Sequence, residues 1–302
     1  MVRAETLGVC PAEGEPALVP GWAGALRICA VRSGLHTPGP MILSVGCTLG
    51  YQIATPQAAF TFNILANSDH QQRLISETLA CAPDVVREIV ENGKGGRALR
   101  CEAPVGAFEL KYAARVEVKR PPLPATVKAD HPARLPLSIL TYTLPSRYCE
   151  SDRFTEIAWE IFGGTEDRAE QVRAICRWID QKLAYVPGST DSRSSAWDVW
   201  ISRKGVCRDY THLAIAFCRA LSIPARYVGG YAAGLQPMDF HACFEVYLDG
   251  EWRLFDPTDD IPPEHIAIIS RGRDATSAAL TTIFGRITAA PIKVTCEVVR
   301  EG

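Results

Sequence analysis

The sequence predicts an α+β protein built from two units, a small β-sandwich followed by a domain that mixes helices and strands. Three observations lead to that class. Residues from Met41 to about Arg120 show strand patterns. A run containing Pro121, Pro122, Pro124, Pro132 and Pro136 follows. Beyond it the apolar spacing turns helical, then returns to strands. The chain has 302 residues, enough for two domains with sizeable cores.

Residues 1–40 hold many Ala, Gly and Pro without sustained periodicity. They are expected to be a poorly ordered extension, or to reflect a start codon placed too early. The best strand runs from Ala107 to Lys119. Phe108, Leu110, Tyr112, Ala114, Val116 and Val118 face one way, with charged residues between them. Thr48–Ile53 and Arg97–Ala103 read similarly, so residues 41–120 form the β-domain. Residues 121–136 read as a semi-rigid linker, because proline fixes φ and removes a donor. Residues 137–302 are assigned to the second unit.

That unit opens with helical patterns. Asp152–Phe162 is the first. Asp167–Leu183 is the second, with Val172, Ile175, Ile179 and Leu183 on one face and Thr165 or Asp167 as cap. A polar loop, 188–195, leads to the short amphipathic stretch Ala196–Ser202. The segment Lys204–Tyr210 then enters a helix whose apolar stripe is Leu213, Ala216, Phe217, Ala220 and Leu221. Ile223-Pro224 ends it, and Ala225–Tyr231 reads as a strand.

Cys207 falls at the start of that helix, where outward-pointing N–H groups favour a thiolate. The spacing further along supplies partners for it. Phe240–Leu248 alternates, with His241, Cys243, Glu245 and Tyr247 sharing one face. Asp249-Gly250 is a strong hairpin signal, and Glu251–Asp256 is the return strand. If those two residues form the turn, Leu248 lies opposite Glu251 and Cys243 opposite Asp256. His241 and Asp256 then become diagonal neighbours, roughly 7–8 Å apart at Cα. A nucleophile needs a base, and the base needs a third group to fix its tautomer; Cys207, His241 and Asp256 fill these roles in chain order. His212, a competing base, lies about 140° around the helix from Cys207 and is assigned to packing or a helix hydrogen bond. Tyr185, Trp197 and Trp200 are candidates for the second oxyanion donor or the pocket wall.

Composition narrows the classes. A net charge of −2 without long charge runs does not suggest nucleic acid as a partner. No stretch approaches the apolar length that spans a bilayer, and no secretion signal opens the chain. Eleven cysteines, an odd number without a CxxC pair, do not suggest a zinc site or a disulfide framework, and fit a reducing, cytoplasmic setting. No metal or other cofactor is expected. The acidic group Asp259, Asp260 and Glu264 lacks the spacing of a known calcium loop and is read as a solvated turn.

The stretches GVCRDYTHLAIAFCRALSIPARYVGGY and FHACFEVYLDGEWRLFDPT resemble the core of the bacterial transglutaminase-like superfamily, across about 154–258. The resemblance implies a papain-like fold with Cys207 as nucleophile, His241 as base and Asp256 as orienting acid, preceded by an amino-terminal β-domain. It also takes in Arg271–Ala275, with no role attached. One departure stands out: the family often has Trp two residues after the histidine, where this chain has Cys243. A smaller residue implies a more open wall beside His241, and makes a Cys207–Cys243 disulfide conceivable. The expected activity is thiol acyl transfer on a carboxamide or peptide carbonyl of a protein or peptide. The alternatives are a cysteine peptidase or amidase, and a catalytically silent binding module.

Overall fold

The computed structural model describes residues 3–5, 40–91, 96–120, 132–258 and 261–299, with residues 123, 126 and 127 between them. Apart from 3–5 and 40, the expectation for residues 1–40 lies outside the described residues. So does much of 121–136 and the pair Asp259 and Asp260. The architecture is α+β.

The first sheet contains β1 (Arg3–Glu5), β2 (Met41–Phe62), β3 (Gln72–Ala82), β4 (Arg87–Glu91) and β5 (Arg97–Val118). Strands β2 and β5 pair antiparallel over most of their lengths. The alternation read from the sequence is the burial pattern: Phe108, Leu110, Tyr112, Ala114, Val116 and Val118 are all buried. At residues 54–57 the register shifts, and the buried positions change from odd (Leu49, Tyr51, Ile53) to even (Ala58, Phe60, Phe62). The partner strand switches in step, from Leu99, Cys101 and Ala103 to Phe108. Gly106, at φ +117°, supplies a backbone angle there that other residues rarely adopt.

The structure corrects the domain boundaries here. Eight strands form one hydrogen-bonded sheet. Three of them come from the carboxy-terminal end: β12 (Thr281–Phe284), β13 (Ile287–Ala289) and β14 (Lys293–Val299) all pair with β2. The range 137–302 therefore does not form a unit of its own. The reason is an edge: without these strands the long β2 would leave a row of backbone groups unpaired.

The second half begins with α1 (Leu137–Leu140), α2 (Thr155–Phe162), α3 (Arg168–Lys182), α4 (Ala196–Ser202) and α5 (Cys207–Ala220). Asp167 caps α3, its side chain accepting from Ala169 N–H and Glu170 N–H. The short strands β6 (Ala184–Tyr185) and β7 (Lys204–Gly205) pair in parallel. The second sheet runs in the order β10 (Glu251–Phe255), β9 (Phe240–Leu248), β8 (Ala225–Ala232) and β11 (Ile266–Gly272). Helix α5 is buried on every side, not along one stripe as its spacing suggests. One side packs on Ala242, Phe244 and Val246 of β9, the other on Phe154, Val172 and Ile175. The two halves share a core, in which Tyr231, Phe240 and Ile269 lie among residues of β2 and β5. Tyr231 donates its hydroxyl to the Ile64 carbonyl at 2.9 Å.

Candidate active site

Three local structures position the site. The first is the start of α5. Val206 precedes the helix, and Asp209, in its first turn, accepts from Val206 N–H at 2.9 Å and from the Thr190 hydroxyl at 2.5 Å. Its other oxygen takes the Arg208 guanidinium at 2.8 Å. A Cβ on Gly205 would lie 2.7 Å from the Asp209 Cβ, so only glycine lets the chain pass this close. Cys207 is therefore held as the first helical residue, 8 % exposed.

The second is the hairpin. Glu251 pairs with Leu248 and Phe255 with Phe244, the register read from the spacing. Asp249 and Gly250 take φ of 51° and 77°, which matches a turn of the kind that suits two-residue hairpins. The register carries Asp256 to His241, and Nε2 of the ring lies 2.8 Å from Asp256 Oδ2. Asp256 Oδ1 in turn accepts from Thr258 N–H at 3.0 Å and from the Thr258 hydroxyl at 2.8 Å.

The third is the junction of ring and thiol. Burial disfavours a charged His241, yet hydrogen bonds to Asp256 and to Cys207, with the charges of both, raise its pKa from 6.5 to about 10. The imidazole thus stands between a carboxylate and a sulfur and keeps its proton through the neutral range. The Tyr185 hydroxyl lies against both the thiol and the backbone N–H of Cys207, and burial with the Cys207 charge raises its pKa.

Of the other residues singled out, Trp197 and Trp200 are not brought to the thiol among the described contacts. Both indoles meet Phe154 edge-on, Trp200 stacks on Trp178, and arginines cover them. They build the core beside α5, because large aromatics there bury more surface than a cleft wall allows. Cys243 is fully buried among Val228, Leu254 and Ile268, and both it and Cys207 are free thiols. His212 has the packing role read for it: Nε2 accepts from Ala275 N–H at 3.2 Å and the ring stacks on Tyr148. Burial and the Arg208 charge lower its pKa, so it is neutral. Glu264 lies in a short turn, Pro263–His265, and among the described residues no group of acids, histidines and cysteines could hold a metal ion.

The family profile described as the transglutaminase-like superfamily matches residues 155–257, the span that carries Cys207, His241 and Asp256. A solved structure of a candidate cysteine protease from Cytophaga hutchinsonii is 36 % identical to this chain, covers 88 % of it and 93 % of its own length, and superposes with a TM-score of 0.82. The chain belongs to the transglutaminase-like superfamily.

Among curated relatives, an uncharacterized protein of Mycobacterium leprae is 34 % identical over 142 residues, 43 % of this chain and 50 % of its own. One of Mycobacterium tuberculosis H37Rv is 32 % identical over 164 residues, 49 % of this chain and 52 % of its own. The chain thus spans about half the length of the curated relatives it matches.

Against that superfamily frame, sequence reasoning missed Thr258, Asp209 and Thr190. Thr258 follows Asp256 by two residues, a spacing at which a hydroxyl and an N–H commonly bond back to a carboxylate. Asp209 ties the 188–195 loop to the helix through Thr190. The Arg271–Ala275 segment acquires contacts too: Arg271 pairs with Glu245 and Asp69, and Asp274 accepts from Tyr148 N–H at 3.1 Å.

Proposed function

We propose that this chain is a thiol acyltransferase with Cys207 as nucleophile, His241 as general base and acid, and Asp256 as the group that orients the ring. The observation that carries the reading is the His241 ring, bonded at 2.8 Å to Asp256 and hydrogen-bonded on its other side to a thiol at a helix start. In the proposed reaction a proton on His241 leaves the sulfur as thiolate. The thiolate attacks the carbon of a carboxamide or peptide carbonyl of a protein or peptide. The Cys207 N–H and the Tyr185 hydroxyl donate to the oxyanion. The tetrahedral species collapses as His241 gives its proton to the departing nitrogen, and a thioester remains. A second amine attacks the thioester, His241 takes its proton, and the new amide leaves with the thiolate restored.

A second reading, hydrolysis of the same thioester by water, is favoured by the Cytophaga hutchinsonii relative described as a candidate cysteine protease. A silent binding module would have no need for a proton held on His241. We place the reaction in a reducing cytoplasm, which the nine free cysteines among the described residues support. Among those residues no helix is long and apolar enough to cross a membrane.

The test incubates the protein with a glutamine-containing peptide and a fluorescent amine, then without the amine. Amine incorporation supports the acyltransferase; ammonia release without incorporation supports the hydrolase. Cys207→Ala should lower either activity on the order of 10³-fold or more. An equal rate in that variant, with all cysteines labelled slowly and uniformly by iodoacetamide, would return the chain to the binding module.

A further inference from the structure

Just before the strand that carries His241 stands a carboxylate that the proposed chemistry does not use. Asp239 immediately precedes β9, two residues before His241, and its side chain is exposed. Phe240 between them pairs with Tyr231 and enters the core, so the alternation of an extended chain places Asp239 on the His241 side, about 7 Å along the strand. Its charge also reaches Tyr185, the hydroxyl that touches Cys207. Oδ1 accepts from Phe240 N–H at 2.7 Å, which fixes the side chain. Among the described residues no cation pairs with it. The other carboxylates around the site are committed: Asp256 to His241 and Thr258, Asp209 to Arg208, Thr190 and Val206.

An unpaired, oriented carboxylate at the rim of a site that receives an amine has a chemical consequence. A primary amine must be neutral to attack, so its own nitrogen gains nothing from a nearby anion. A second ammonium a few carbons away can pair with that anion while the free amine reaches the thioester. We propose that Asp239 selects the acceptor substrate: the enzyme prefers amines that carry a second positive charge, as a diamine does or a lysine flanked by a basic residue. This rests on the acyltransferase reading above. It places Asp239 as a specificity residue and gives it no part in bond making.

The experiment measures kcat/KM for two acceptors of similar length, 1,5-diaminopentane and 5-aminopentan-1-ol, against a glutamine-containing peptide. The first keeps an ammonium where the second has a hydroxyl. The expected wild-type ratio favours the diamine by about five- to tenfold, the size of a partly exposed charge pair. Asp239→Asn keeps the oxygen that accepts from Phe240 N–H and should bring the ratio near one; Asp239→Glu should restore most of it. Because the readout is a ratio within each protein, a change in folded fraction cancels. The preference should also shrink in high salt. A wild-type ratio near one, or a preference that survives Asp239→Asn, overturns the assignment of Asp239 while amine incorporation itself stands. Ammonia release with no incorporation of either amine overturns the acceptor site and leaves a thiol hydrolase. Absence of any acyl-enzyme on Cys207 by mass spectrometry overturns the acyltransferase reading and this inference with it.

Discussion

Thr258 shows how a single residue sets the chemistry of others. Its N–H and hydroxyl both bond to Asp256 Oδ1, which leaves Oδ2 facing His241 in one orientation. Thr258→Val keeps the shape and the backbone bond but removes the hydroxyl. The carboxylate then gains rotational freedom, and the ring loses part of its guide. The expected result is a fall of about tenfold in kcat with little change in KM, and a stability loss of about 1 kcal/mol, read by steady-state kinetics and urea unfolding. His241 adds a pH prediction. Its pKa is raised from 6.5 to about 10, so the folded state binds a proton that the unfolded chain releases near 6.5. The stability this contributes is full below pH 6.5 and is lost as pH rises toward 10. Thermal melts should fall across that window in the wild type and fall less in His241→Asn. In the proposed acyl transfer the imidazolium protonates the leaving nitrogen, so the alkaline limb of that activity should lie near pH 10, not near 6.5.

At the scale of the element, α5 explains why Cys207 is so tightly held. All of its residues are buried, and two of its polar side chains are bonded in place: Arg219 donates to the Ala225 and Arg273 carbonyls, His212 accepts from Ala275. Such a helix resists sliding, because these buried groups would lose their bonds at once. Its entry depends on Gly205 passing within reach of Asp209. Gly205→Ala forces the Asp209 side chain aside, breaks its bond to Val206 N–H and lifts the first turn. A loss of about 2–4 kcal/mol is expected, with weaker iodoacetamide reactivity at Cys207; an unchanged melting temperature would contradict the contact. The β9–β10 hairpin is the other decisive element. Its two-residue turn sets the parity that puts His241 and Asp256 on one face, so this pairing could be derived from the residues alone.

For the whole molecule, residues 281–299 matter more than their sequence suggests. Strands β12, β13 and β14 line one edge of β2, and the sheet they complete packs on β8 and β11 of the second sheet. Arg271 joins the halves through charge, pairing with Glu245 beside the site and with Asp69 of the β3 approach. Ending the chain at Leu280 removes all three strands and exposes the β2 edge. The shortened protein should be insoluble or lose cooperative unfolding, while the intact chain should unfold in one transition, seen alike by tryptophan fluorescence and far-ultraviolet circular dichroism. Two separate transitions would show that the shared core does not couple the halves.

What the residues determine without the fold is the local geometry: the alternation of β5, the caps and faces of α3, the start of α5 at Cys207, and the hairpin register behind His241 and Asp256. Each follows from a period, a cap or a turn within about twenty residues. The tertiary structure alone decided that residues 281–299 close the first sheet, that Trp197 and Trp200 face the core while Tyr185 faces the thiol, and that Asp209 and Thr190 lock the helix entry. These are matters of which surfaces meet. Many pairings of distant segments satisfy the same periodicity, and only simultaneous burial of both halves selects one of them.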